Sequence, residues 1–230
     1  MRFRSFAFAV LGLPFLVASA HVIAADSSQG LFNGKDLTGW VQRGGKAKFH
    51  VADGMIVGTS VPNTGNTFLC TEKTFRNFVL ELEVKQNPEI NSGIQFRSLC
   101  FDEPKTYQDG EKEIKVPAGR VHGYQCELDP TPRKWTAGIY EEGRRGWLVP
   151  LTGKTEAQAA YKLGEWNKLR IECDGDKLRT FVNDVPCAEL TDNWTSEGFI
   201  ALQVHGVGSK PEPMEIHWRN VRIRELPDTK

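Results

Sequence analysis

Asn167-Lys168-Leu169-Arg170-Ile171-Glu172-Cys173-Asp174-Gly175-Asp176-Lys177-Leu178-Arg179-Thr180-Phe181-Val182 decides the fold class. Leu169, Ile171 and Cys173 alternate with Lys168, Arg170 and Glu172, the period-two pattern of a half-buried strand. Lys177 to Val182 follows the same rule, and Asp174-Gly175-Asp176 between the two runs signals a hairpin. Asn183-Asp184 marks a second turn directly after it. Outward from here, the alternation recurs in Phe78–Val84, Ser92–Arg97, Gly123–Asp129, Phe199–His205 and Ile216–Arg224. Only Thr155 to Tyr161 has helical character, and it covers barely two turns. Many short strands without intervening helices predict an all-β, antiparallel sandwich or jelly roll, not a βαβ fold. Two polar stretches, Phe101–Pro117 and Glu141–Glu165, read as long loops on that sandwich.

The 230 residues carry 29 Lys+Arg against 29 Asp+Glu, so no basic footprint for nucleic acid exists. Arg2 and Arg4 precede an apolar run from Phe6 to about Ala20, with small residues up to Ala25. This is the layout of a secretory signal peptide over residues 1–25, cleaved after Ala25 and before Asp26-Ser27-Ser28. Pro14 and His21 interrupt the run, which is short for a membrane span. The expected mature protein is a single β-sandwich domain, residues 26–230, periplasmic or secreted, with no membrane span. Cys70, Cys100, Cys126, Cys173 and Cys187 make an odd count, which leaves at least one free thiol. Cys70 with Cys100, or Cys173 with Cys187, are candidate bridges that spacing alone does not decide.

Alternation also sorts side chains by face. Ile94 and Phe96 oppose Gln95 and Arg97; Tyr124, Cys126 and Leu128 oppose Gln125, Glu127 and Asp129; Ile200, Leu202 and Val204 oppose Gln203 and His205. If these three strands are neighbours, their polar residues line one concave face rich in amides, which suits a hydroxyl-rich ligand. An ordinary wet sheet face is the plain alternative. Glu127 and Asp129, at i and i+2 of one strand, project roughly 6.6–6.8 Å apart along it. Such a pair serves acid/base chemistry on sugars or chelation of a hard cation, although Asp129 before Pro130 also suits a turn.

Trp135-Thr136-Ala137-Gly138-Ile139-Tyr140-Glu141-Glu142-Gly143-Arg144-Arg145-Gly146-Trp147 packs aromatic, acidic and arginine side chains around glycines. Tyr140 and Trp147 are candidates to stack on a sugar ring, with Arg144 or Arg145 binding its oxygens. A loop pinned by its Trp residues, with Glu–Arg pairs at the surface, is the alternative. His122 reads as a rim residue or as a structural hydrogen-bonding group. No G-x-S-x-G elbow, H-E-x-x-H or phosphate loop occurs.

Leu31-Phe32-Asn33-Gly34-Lys35-Asp36-Leu37-Thr38-Gly39-Trp40 resembles the opening motif of the bacterial 3-keto-disaccharide hydrolase domain family. The resemblance continues through Asn91–Ile94, His122–Asp129, Gly138–Trp147, Gly164–Asn167, Phe199–His205 and Trp218–Ile223, from about Gly30 to Glu225. It implies a jelly roll of the concanavalin-like lectin/glucanase type. It also implies cleavage of 3-keto-glycosides or 3-keto-disaccharides by C2 deprotonation, β-elimination and hydration. Such a site needs a base, an enolate stabiliser and an acid. On the resemblance, His205 or Glu127 would be the base, Arg97 or Arg144 the oxyanion partner, and Asp129 or His122 the acid. Gln95, His122, Gln125, Tyr140, Arg145, Trp147 and Gln203 would bind substrate. A divalent metal ion bridging the ketone and the C2 hydroxyl would be an alternative to arginine, without a distinctive ligand set. A non-catalytic carbohydrate-binding module, or an ordinary glycosidase on unoxidised sugars, are the competing classes.

Overall fold

A computed structural model describes residues 28–228; the expected signal peptide lies outside them. In chain order the strands begin with β1 (Gln29–Gly30), β2 (Trp40–Gly44), β3 (Lys48–Ala52), β4 (Met55–Thr59), β5 (Thr67–Thr71) and β6 (Phe78–Gln86). Next come β7 (Ser92–Leu99), β8 (Lys105–Asp109), β9 (Lys112–Val116), β10 (His122–Leu128), β11 (Ile139–Glu142) and β12 (Gly146–Val149). After α1 (Thr155–Ala160) follow β13 (Asn167–Asp174), β14 (Lys177–Val182), β15 (Val185–Thr191), β16 (Phe199–Val204) and β17 (Glu215–Glu225).

Two antiparallel sheets face each other. One runs β15-β14-β13-β6-β17-β4-β3, with β1 also on β17; the other runs β12-β11-β10-β7-β16-β5-β2. The chain is therefore an all-β, antiparallel sandwich of the jelly-roll kind. Asn167–Val182 forms the expected hairpin, with Asp174 opposite Lys177 and Leu169 opposite Val182. Its inward residues Leu169, Ile171, Cys173, Leu178 and Val182 are fully buried. They meet Ile94, Phe96, Tyr124 and Leu202 of the second sheet in one continuous core, with Trp218 entirely enclosed. Each such side chain contributes about 1.5–3 kcal/mol by leaving water.

Two expectations need correction. Phe101–Pro117 is not all loop: β8 and β9 pair there as a separate two-stranded sheet. Glu141–Glu165 contains the end of β11, all of β12 and α1. All five cysteines are free thiols, with only Cys100 incompletely buried. Burial pushes the Cys70 and Cys173 thiols up to about 12 and that of Cys126 well above its ordinary value.

Candidate active site

β10, β7 and β16 are neighbours, so the three polar faces read from the sequence form one surface. Gln125 pairs with Gln95, which pairs with Ala201; Glu127 pairs with Gly93, which pairs with Gln203. Gly93 and Ala201 leave room on this face that larger side chains would fill. A Cβ on Gly93 would lie 2.5 Å from Cδ of Gln125, so the glutamine side chain lies across the bare glycine. There Gln125 donates from Nε2 to Oε2 of Glu127 at 2.6 Å. Its Oε1 accepts from Nε2 of Gln203 at 3.0 Å and from Nε2 of Gln95. Gln95 Oε1 in turn accepts from the Ser98 hydroxyl at 2.8 Å.

Above this floor lies a cleft of about 380 Å³, lined by Asn66, Asn91, Arg120, Gln125, Glu127, Arg133, Tyr140, Glu142, Trp147 and His205. Glu127 is its most perturbed acid. Burial pushes the carboxyl up to about 7, against the lowering influence of hydrogen bonds from Asn91, at 2.5 Å, and Gln125. His205 follows β16, and its Nδ1 lies 2.8 Å from the Gly206 carbonyl. A carbonyl only accepts, so Nδ1 carries the proton and Nε2 holds the lone pair in the neutral ring. Arg133 lies over the Trp135 and Trp147 rings, 4.9 and 5.1 Å from their centroids, and its Nε is held by Asp129 at 2.7 Å. Tyr140 and Trp147 meet edge to face at 5.3 Å and form an aromatic wall. Arg120 pairs with Glu142 beside them.

A wider depression of about 660 Å³ lies between α1, β14 and β15, but its Arg179 pairs with Glu189 and Glu172. Its Glu172 and Glu189 are engaged by Arg170 and Arg179, so the chemistry points to the smaller cleft.

Of the residues singled out from sequence, Gln125, Glu127, Tyr140, Trp147 and His205 line the cleft, while Gln95 and Gln203 lie beneath it in contact with Gln125. The others lie elsewhere. Arg97 has φ of 44° and is the extra residue of a bulge, because β7 has two residues between Phe96 and Leu99 where β10 has one. The bulge ends the alternation and turns the guanidinium to the core side. There it donates to Arg76 O, Gly175 O and Asn77 Oδ1 and ties the sheets together. Asp129 accepts from the backbone N–H groups of Thr131 and Trp135 as well as from Arg133. Burial works to raise this carboxyl, but those donors outweigh it and hold it below the usual range. Asp129 thus shapes the turn and positions Arg133.

Arg144 and Arg145 bind Glu141 on the interior side of β11, where Arg145 also pairs with Asp192. Gly143, with φ of 70°, reverses the chain there and brings both arginines back onto Glu141. The Glu–Arg pairing of the loop alternative occurs, but the pairs are buried and the segment is the β11–β12 hairpin rather than a loop. His122 bonds Tyr107 and the Arg120 carbonyl under the β8–β9 hairpin, and burial lowers its basicity. Sequence reasoning missed Asn66, Asn91, Arg120, Arg133 and Glu142 as cleft residues. Glu142 was legible, since it shares its face with Tyr140 two residues earlier; the rest sit on loops or strand ends without periodicity.

No three His, Cys, Asp or Glu side chains come together as a metal ligand set among the described residues. The oxygens of Glu127 and Glu142 are engaged by Asn91, Gln125 and Arg120, so these residues do not fit a divalent ion as they stand.

The model of the 3-keto-alpha-glucoside-1,2-lyase-like domain matches residues 27–224. The chain belongs to this family. The match spans both sheets and every cleft residue of this lyase-like domain. Its structure is similar to a "putative glycosyl hydrolase" from Parabacteroides distasonis ATCC 8503, at 20% identity and a TM-score of 0.56, over 87% of this chain and 94% of that one. It is also similar to a Bacillus subtilis protein of unknown function with a galectin-like fold, at 11% identity and a TM-score of 0.55, over 83% and 90%. At such identities the likeness concerns the fold. No curated protein matches the chain.

Proposed function

We propose that the cleft binds a 3-keto glycoside and breaks its glycosidic bond through removal of the C2 proton. The observation that carries this reading is Glu127, a buried carboxyl pushed up to about 7 in the same cleft as a histidine with a free ring lone pair. A ketone at C3 acidifies the C2 hydrogen because the resulting carbanion is an enolate. Glu127 takes that proton, and Arg133 stabilises the enolate oxygen. The C1–O bond then breaks, and His205, having taken a proton from solvent at Nε2, gives it to the departing oxygen. Water adds across the C1=C2 bond: its hydroxyl joins C1, its proton goes to His205, and Glu127 returns a proton to C2. The net result is hydrolysis. Trp147 and Tyr140 offer a wall for the sugar ring, while Asn66 and Asn91 offer amides to its hydroxyls. The family membership supports the keto substrate, and the Arg2/Arg4–Ala25 layout supports work outside the cytoplasm. N-terminal sequencing of exported protein that found an intact Met1 would remove the latter.

The test is cleavage of a 3-keto glycoside and its unoxidised parent side by side in deuterium oxide. The expected result is cleavage of the keto compound alone, with deuterium at C2 of the released sugar. Cleavage with neither deuterium at C2 nor any slowing when the substrate itself carries deuterium at C2 would overturn elimination. Equal cleavage of the parent would make the protein an ordinary glycosidase, and binding without cleavage of either would make it a carbohydrate-binding module.

A further inference from the structure

We infer that Gln95 and Gln203, which lie beneath the cleft floor, are positioning residues: they fix the orientation of the Gln125 amide so that it donates to Glu127. This rests on the reading of Glu127 as the acid/base group. An isolated glutamine beside a carboxylate can present either end of its amide, and only its N–H end favours the ionised carboxylate. Here the choice is made from below. Both Gln95 and Gln203 direct Nε2 at Oε1 of Gln125, so that oxygen faces two donors and Gln125 Nε2 faces Glu127. The Ser98 hydroxyl has Gln95 Oε1 as its nearest acceptor, at 2.8 Å against 3.2 and 3.3 Å to the Tyr124 and Phe96 carbonyls, and so favours Gln95 in the same sense. All four side chains are buried, with Gln95, Gln203 and Ser98 fully enclosed, so water does not reach them to substitute for a missing donor.

The chain crosses three strands because the register allows it. Gly93 stands between Glu127 and Gln203, and Gln125 occupies the space that a side chain there would take. Gln203 joins the chain through its donor end, Nε2 on Gln125 Oε1, while its own Oε1 is buried. The charged and titratable groups around Glu127 are Asp129 at the end of its own strand, Arg133 on the following loop, Tyr140 on β11, His205 after β16 and the Arg120–Glu142 pair. None of them bonds Gln95 or Gln203, so changing those amides alters only the chain.

The experiment is titration of the Glu127 side-chain carboxyl by carbon-13 NMR in the full chain without substrate, assigned with Glu127→Gln. Gln203→Met and Gln95→Met each remove one donor from Gln125 while keeping the volume similar. Losing the enforced donor disfavours the carboxylate, so the Glu127 midpoint rises in both variants, by about one pH unit in the double variant, as expected for a hydrogen bond to a charged group. Gln125→Met raises it as well, and adding Gln203→Met to Gln125→Met produces no further rise. An unmoved midpoint in the folded Gln95→Met and Gln203→Met proteins would overturn the proposal, as would additive shifts on top of Gln125→Met. If one single variant fails to fold, the other decides, and Gln203→Asn, which keeps the amide but shortens its reach, gives the same rise. Because no substrate is present, this result stands apart from whether a 3-keto glycoside is cleaved.

Discussion

Glu127 has both oxygens bonded to amides and is almost out of reach of water, so its protonation couples activity and stability. As a base it must be ionised, and kcat/KM for a 3-keto glycoside is expected to rise with pH through a limb near 7. Glu127→Gln should remove about 10²–10⁴-fold of turnover while leaving ligand binding measurable. The effect on stability has the opposite pH sense. The folded carboxyl titrates near 7 and the unfolded one near its ordinary 4.5, so the folded state holds the extra proton between those values. The contribution is present below about 4.5 and is lost as pH rises to 7, a cost of about 3 kcal/mol above that. The Tm difference between Glu127→Gln and the parent should therefore grow in favour of the variant from pH 4.5 to pH 8. A constant difference would contradict the raised carboxyl. Arg97 provides the contrast. Arg97→Met removes the three hydrogen bonds of a buried guanidinium, though Asn77 Oδ1 keeps the Gly175 N–H, and should cost about 3 kcal/mol by urea denaturation, with kcat per folded molecule unchanged. Alternation assigned Glu127, Gln125 and Gln203 to one face because the strand period holds through them. It misassigned Arg97 because a bulge is invisible to a pattern that counts by two.

The β8–β9 hairpin belongs to neither large sheet, and an isolated two-stranded ribbon is marginally stable in water. Tyr107 helps dock it, together with the buried Ile114 and Val116. Its hydroxyl lies 2.8 Å from His122 Nε2, and its ring stacks on Trp194 at 6.0 Å, with the Arg144 guanidinium 5.0 Å from its centroid. Nothing in Phe101–Pro117 announced this, because the partners come from β10, from the turn after β11 and from the segment after β15. Local charge and polarity made the stretch look like loop, and only contacts distant in sequence made it structure. Tyr107→Ala should abolish slow amide exchange over 105–116 while leaving β6, β10 and β13 protected. Tyr107→Phe, which keeps the ring, should weaken the docking by about 1 kcal/mol. Unchanged exchange in Tyr107→Ala would show that the hairpin holds by its own pairing and by Ile114 and Val116.

At the scale of the whole molecule, the two sheets were legible as a class and not as an arrangement. Periodicity named most core strands and the β13–β14 hairpin, whereas the order in which β10, β7 and β16 lie side by side is a property of the closed sandwich. Edge strands β2 and β12 and the short β1 have too few residues to show a period. The packed interior also decides the fate of the cysteines. Cys70, Cys126 and Cys173 are fully buried and their thiols are held far from ionisation, while Cys100 is partly open. Only a thiolate reacts with iodoacetamide, so Cys100 should be modified in native buffer, and the three enclosed thiols only after the sheets separate. Mass spectrometry after a timed pulse checks this; Cys126 reacting in native buffer as fast as Cys100 would contradict it. The sandwich thus carries three internal stopwatches. With alkylation fast relative to reclosing, the mass added per minute reads how often a molecule opens, and Cys173 and Cys126 report the two facing sheets separately. Unequal clocks would reveal that one layer peels away before the other, in the unaltered protein and without any added dye.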